Sequence, residues 1–364
     1  MAATEPMMSG IDSLRSWKKL LLFPAVAKVL FCACTAWQVA GAADVVRPVF
    51  PVLPYLDIAS MNARPALDAA SIGMSGCILG FVVAKSADDA TPCWGLAGPA
   101  DGKVLSKEIA RLRRSGLELW VSFGGADHRD LASVARDPEA LMNLYAGVVR
   151  AYGVKGVDFD IEGDALRDRE AMLRRAQAWR LWRARGDMPP SILTVPVLPS
   201  GLTAEVLDLL LIHRDLGVLP DRLNLMVMNY GPANAPNPSG RMAAFAASAA
   251  SNTVAQLRAN SLSALVSGPS GFSKLGLTPM VGFNSCPQEQ FRLQDARRLR
   301  EWAEGAQPGF LSFWSLNRDR FCVVHRGACR HCGSGVPQED LDFLRTLAAL
   351  PTVLGRLQTL ACLP

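Results

Sequence analysis

Three carboxyl side chains fall at alternate positions of the stretch GVDFDIEG: Asp158, Asp160 and Glu162, with Val157, Phe159 and Ile161 among them. In an extended strand, successive side chains point to opposite faces. The apolar three then share one face and the acids share the other, about 6.6 Å apart. Like charges in a file on one face are unfavourable, so the pattern needs a use that offsets its cost. Crowded carboxyl groups have their pKa values driven apart, which leaves one protonated near neutrality and able to act as a general acid. Clustered acids also bind Mg²⁺ or Ca²⁺, and a purely structural cluster is a third reading. The residues alone leave all three open.

The elements that must position these acids come from alternation. Apolar, β-rich runs recur at 54–60, 77–84, 117–125, 156–163, 191–199, 222–231, 276–284 and 309–317. Segments 104–115, 137–152, 167–185, 203–217, 241–261 and 288–305 read as helices between them. Strand–helix alternation predicts parallel strands, and eight such units in about 260 residues make an α/β (β/α)8 TIM barrel. An open doubly wound sheet would favour a glycine-rich phosphate turn after the first strand, and DIASMNARPA has none. With GVDFDIEG as the fourth strand, the acids face the barrel interior and Glu162 stands nearest the C-terminal mouth, where such barrels build active sites. The turn-rich stretch 231–240 follows the sixth strand onto the same face.

Composition narrows the class. The chain has 364 residues, 50% hydrophobic and 20% charged, enough for a large core. Its net charge of +5 is spread along the sequence. The dense run 167–185 has helical apolar spacing, and with no nucleic-acid motif beside it no nucleic-acid partner is expected. Lys18 and Lys19 precede an apolar stretch that ends in Ala40, Gly41 and Ala42, which predicts a signal peptide over 1–42 and a secreted, extracellular protein free of membrane after cleavage. An uncleaved anchor within 20–40 is the alternative, although Lys28 cuts the apolar run below the roughly 20 residues that span a bilayer.

Cys32 and Cys34 would leave with that leader, and seven cysteines would remain. Export predicts that some pair, with at least one left free. In CVVHRGACRHC (322–332) the ligand spacing is compressed for zinc, so a disulfide from Cys322 to Cys332 is expected instead. Cys77 and Cys93 could bridge or stay as free buried thiols.

Several motifs together carry a resemblance. Lys155 to Glu162, KGVDFDIE, resembles the D-G-x-D-x-D-x-E strand of family 18 glycoside hydrolases, the chitinases and their relatives. SFGG (122–125) resembles the family's S-x-G-G motif, and LMVMNYG (225–231) resembles the Met/Tyr motif of its bacterial-type branch, often M-D-Y-G. GLTPMVGFN (276–284) and GFLSFWSLNRD (309–319) look like its last two strands. The motifs stand in family order and imply a catalytic domain over 52–345, followed by a helical tail over 346–364.

The resemblance implies retaining, substrate-assisted hydrolysis of β-1,4-linked N-acetylglucosamine in chitin or chito-oligosaccharides, by a monomer without cofactor or metal. Glu162 would be the general acid and base. Asp160 would orient the substrate's acetamido group and stabilise the cyclic oxazolinium charge, with Asp158 tuning it. Tyr230 would donate to the acetamido carbonyl, and Trp314 would floor the sugar site. Met226, Met228 and Asn229 would line it, while Gly124 and Gly125 would let backbone approach substrate or a neighbouring strand. Lys155 and Asn229 depart from the family's usual Asp, and Lys155 is expected to bring a positive charge near Asp158. A glycan-binding lectin-like relative and an endo-β-N-acetylglucosaminidase are the alternatives.

Overall fold

Strand residues whose outer side chains are Val, Leu, Ile and Phe can bury one face only by curling the sheet under a shell of helices. The computed structural model describes residues 50–321 and 333–350, and it shows this arrangement. The expected leader (1–42), the cysteine-dense loop 322–332 and the chain beyond 350 lie outside the described residues.

Eight parallel strands follow in order: β1 (Tyr55–Asp57), β2 (Gly76–Ala84), β4 (Glu118–Gly124), β5 (Gly156–Asp160), β6 (Ser191–Pro196), β7 (Arg222–Met226), β8 (Leu275–Thr278) and β11 (Phe310–Leu311). The last strand bonds back to the first. Leu53 N donates to Leu311 O at 2.9 Å, Leu311 N to Pro51 O at 3.0 Å, and Tyr55 N to Phe313 O at 3.0 Å. The barrel is therefore closed, as the alternation predicts. Beyond the eight expected strands, β3 (Pro92–Trp94) runs antiparallel to β2, and β9 (Gly282–Phe283) pairs with β10 (Gln290–Phe291).

The helices are α1 (Arg64–Ser71), α2 (Ser106–Arg114), α3 (Leu131–Val134), α4 (Pro138–Tyr152), α5 (Arg169–Arg185), α6 (Ala204–Asp215), α7 (Met242–Ala259), α8 (Leu293–Ala306) and α9 (Asp342–Ala348). Their ends are written locally. Asp137 accepts from Ala140 N and Pro138 starts α4, while Gly153 ends it with φ 59°. Asp168 caps α5 by accepting from Ala171 N, and Gly186 ends it.

Two cores follow from strand alternation. Outside the barrel, Val157, Phe159 and Ile161 are fully buried beneath the helices. Phe159 meets Phe123, Tyr145 and Trp179 at ring distances of 5.3, 4.9 and 4.7 Å. Each such burial contributes roughly 1.5–3 kcal/mol, which offsets the acids on the opposite face. Inside the barrel, Leu53, Tyr55, Ile78, Ile192 and Phe310 pack with Trp120 and Trp314. Gly156 makes room there, because a Cβ at that position would lie 2.3 Å from the Trp120 ring. The bottom is thus plugged with aromatic bulk, and the polar side chains are left to the mouth.

Candidate active site

The acidic face of β5 points inward, as its alternation requires. Asp158 is the deepest acid and is fully buried. Its Oδ2 accepts from Ser122 Oγ at 2.5 Å and from the Tyr55 hydroxyl at 2.9 Å. Its Oδ1 accepts from Thr194 Oγ1 at 2.6 Å. The chain of donors continues around the barrel, with Asn224 Nδ2 donating to Thr194 Oγ1 at 3.0 Å and Thr278 Oγ1 donating to Asn224 Oδ1 at 2.8 Å. Six strands supply this belt, and every hydrogen in it runs toward Asp158, which suits a carboxylate that carries no proton of its own.

The three acids differ in surroundings. Burial pushes the Asp158 carboxyl up to about 6, against the opposing pull of Ser122, Thr194, Tyr55 and the Phe159 N–H. Asp160 has no such donors. It is 5% exposed, and among the described residues nothing bonds its Oδ1. Burial, then the neighbouring Glu162 and Asp158, raise it well above the usual carboxylate range. Burial also pushes Glu162 up to about 7. Asp158 therefore holds the negative charge best, Asp160 is pushed toward its neutral form, and Glu162 titrates near neutrality, where a general acid is useful.

Above the acids lies a cavity of about 740 Å³. Asp160, Glu162, Gly124, Met226, Met228, Asn229 and Trp314 all line it. Trp314 stacks on Phe81 at 5.3 Å, and Tyr55 stands 6.0 Å from it. Gly125 falls outside this cavity and lines an adjoining one. Its N–H donates to Asp160 O at 2.9 Å, and a Cβ on Gly124 would lie 2.1 Å from the same oxygen. The paired glycines thus dock the end of β4 on β5 and hold the backbone of Asp160. Asn229 sits at φ 55° and accepts from Ser285 N at 2.9 Å.

Two expectations need correction. Tyr230 does not line the cavity: its ring lies edge-on to Phe245 of α7 at 6.2 Å, and among the described residues its buried hydroxyl bonds to nothing. Alternation sends Met226 and Met228 inward, and the left-handed turn at Asn229 carries Tyr230 to the outer core. Lys155 is exposed just before β5 and is not among the groups that shift Asp158. The described cysteines Cys77, Cys93 and Cys286 are free thiols, so the Cys77–Cys93 bridge is absent.

Sequence reasoning missed Phe81, Tyr55, Thr194, Asn224 and Thr278. For the last four the signal was present, since each sits at an inward position of its run. Phe81 gave none, because the β2–β4 register shifts between Leu79 and Val82 and breaks the alternation there.

No protein-family model matches the chain. It is 33% identical over 279 residues to a probable bifunctional chitinase/lysozyme of Escherichia coli strain K12, covering 73% of this chain and 30% of that protein. It is 31% identical over 279 residues to endochitinase 11 of Metarhizium anisopliae, covering 73% of this chain and 52% of that one. The chain thus spans about half or less of the curated relatives it matches. Its structure is similar to the catalytic domain of a hyperthermophilic chitinase from Pyrococcus furiosus, with a TM-score of 0.71 and 27% identity over 83% of this chain and 95% of that one. The site is a closed (β/α)8 barrel with graded carboxyl groups under an aromatic-floored cavity. With its motifs in order, the chain is similar to chitinases in sequence, and its barrel is similar to that of a solved chitinase.

Proposed function

We propose that the chain hydrolyses β-1,4 linkages between N-acetylglucosamine units of chitin and chito-oligosaccharides, with retention at the anomeric carbon. The observation that carries this reading is the gradient along β5: Asp158 satisfied by three hydroxyls, Asp160 unsatisfied at Oδ1, and Glu162 facing the cavity beside them. The Pyrococcus furiosus chitinase of similar fold has been seen complexed with chito-oligosaccharides, which supports the same substrate class here.

The sugar at the cleavage site lies on Trp314, whose ring suits the apolar C–H face of a pyranose. Its acetamido group reaches Asp160, and Met226 and Met228 wall the pocket. Glu162 gives its proton to the glycosidic oxygen, and the C1–O bond breaks as the acetamido oxygen bonds to C1. The leaving sugar departs as an alcohol. Asp160 accepts the acetamido N–H at its free Oδ1, and the positive charge developing on the oxazolinium beside it favours the carboxylate form that stabilises that charge. Glu162, now a carboxylate, takes a proton from water as that water attacks C1 and reopens the ring.

A fluorogenic chitobioside assayed beside an N-glycan substrate tests this. Release from the chitobioside is expected. Tight binding of chito-oligosaccharide without release would favour the lectin-like reading, and release from the N-glycan alone would favour an endo-β-N-acetylglucosaminidase.

A further inference from the structure

Two loops at the mouth of the barrel are joined by their own side chains. One is the turn after β7, residues 228–231, and the other is the tip of the β9–β10 hairpin, residues 284–289. Asn284 Oδ1 accepts from Asn229 N at 3.3 Å, while its Nδ2 donates to Met280 O at 3.0 Å and to Gly282 O at 3.2 Å. In return, Asn229 Oδ1 accepts from Ser285 N at 2.9 Å. Met228, Asn229, Met280 and Ser285 all line the cavity, so this seam is one wall of the sugar pocket.

Behind the wall stands Glu289, which is 2% exposed. Its Oε2 accepts from Tyr230 N at 3.1 Å and its Oε1 from Gly231 N at 2.7 Å. Asn229 at φ 55° and Gly231 at φ 79° bend the turn so that these successive N–H groups meet one carboxyl group, as in a backbone nest for an anion. The tip that carries the carboxyl is itself closed, because Glu289 N donates to Cys286 O at 2.9 Å and Asn284 N to Glu289 O at 3.0 Å. A buried carboxyl group is costly unless donors meet it, and here the donors belong to the turn that presents Asn229. Ser285 N can only donate, so the Asn229 atom that faces it is the amide oxygen. What Asn229 has left for the cavity is Nδ2, a donor that suits the carbonyl and hydroxyl oxygens of N-acetylglucosamine.

We propose that Glu289 is a positioning residue for the sugar pocket. It anchors the 229–231 turn so that Asn229 Nδ2 donates to a substrate oxygen. Glu289 is not among the described residues that line the cavity, so it acts through Asn229 rather than on the sugar. This rests on the substrate class proposed above and not on bond cleavage.

The test is a double-mutant cycle on binding. Glu162→Gln serves as the parent, in which bound chitotetraose stays intact, and affinity is read by calorimetry. Asn229→Ala should weaken binding about three- to tenfold, the worth of one hydrogen bond. Glu289→Gln is nearly isosteric but sets an amide NH₂ against one of two backbone donors, and it should weaken binding by a similar factor. In the Asn229→Ala background, Glu289→Gln should cost less than about twofold more. If Glu289→Gln does not fold, Glu289→Asp, which keeps the acid but is one methylene shorter, takes its place in the cycle. The inference is overturned if Asn229→Ala binds as the parent does, if the Glu289 variant loses Tm without losing affinity, or if the two losses multiply in the pair. A wild type that binds chitotetraose without cleaving it overturns the hydrolysis alone, and the cycle still decides the role of Glu289. No binding by wild type or parent overturns both.

Discussion

Glu162 holds its proton up to about pH 7 because burial disfavours its charge, and this has consequences for both rate and stability. Between the ordinary glutamate range and about 7, the folded chain binds more protons at this group than the unfolded chain, so its contribution to stability falls as pH rises through that window. Glu162→Gln removes the group. It should raise Tm at alkaline pH, by up to about 3 kcal/mol of stability, and change it little in acid; calorimetry at the two extremes checks this. The same change should lower kcat by about 10²–10⁴ on a chito-oligosaccharide. For the wild type, kcat/KM should be bell-shaped. The alkaline limb near 7 reflects loss of the Glu162 proton, and the acid limb near 6 reflects protonation of the Asp158 cluster. Tyr55→Phe takes one donor from Asp158, so the acid limb should move upward; an unmoved limb would separate Asp158 from that titration. The three acids were legible in the sequence because their spacing has one structural meaning. Tyr55, Thr194, Asn224 and Thr278 each showed as an inward position of its run, but that they form one belt on Asp158 was not legible, because only the register between strands aligns them.

The β4 end acts through its backbone. Gly124 has φ 103° and lies against Asp160 O, so Gly124→Ala must push β4 from β5 and should cost several kcal/mol along with most activity. Denaturant unfolding and a turnover assay together test this. On the other side of the same turn, Asp130 caps α3 and pairs with Arg175 of α5, which is fully buried. Arg175→Met strands a buried carboxylate and should cost about 3–5 kcal/mol. Arg175→Met/Asp130→Asn should cost less than the single change, and a double mutant that is worse than Arg175→Met would contradict the pairing. The long elements were legible because each combines periodicity with a cap, as α4 does with Asp137, Pro138 and Gly153. The two-residue strands β9 and β10 and the four-residue α3 are too short to have a period. Tyr230 was misplaced for a related reason: a single left-handed residue, Asn229, reverses the alternation that would have carried it inward.

At the scale of the molecule, counting strand–helix units predicted the barrel, but closure rests on hydrogen bonds between segments near 53 and 311, far apart in sequence. No local pattern carries those. We also propose export from the Lys18–Ala42 leader: secreted material should begin near Ala43, and a cytosolic product that retains Met1 would contradict it. The central claim is that this barrel cleaves by substrate assistance, with Glu162 as acid and base. It is tested most directly by time-resolved NMR of the first reducing-end anomer released from a chito-oligosaccharide, with wild type and Glu162→Gln side by side. The β-anomer should form first with wild type and almost no product should form with Glu162→Gln. First formation of the α-anomer, or undiminished release by Glu162→Gln, would contradict the account.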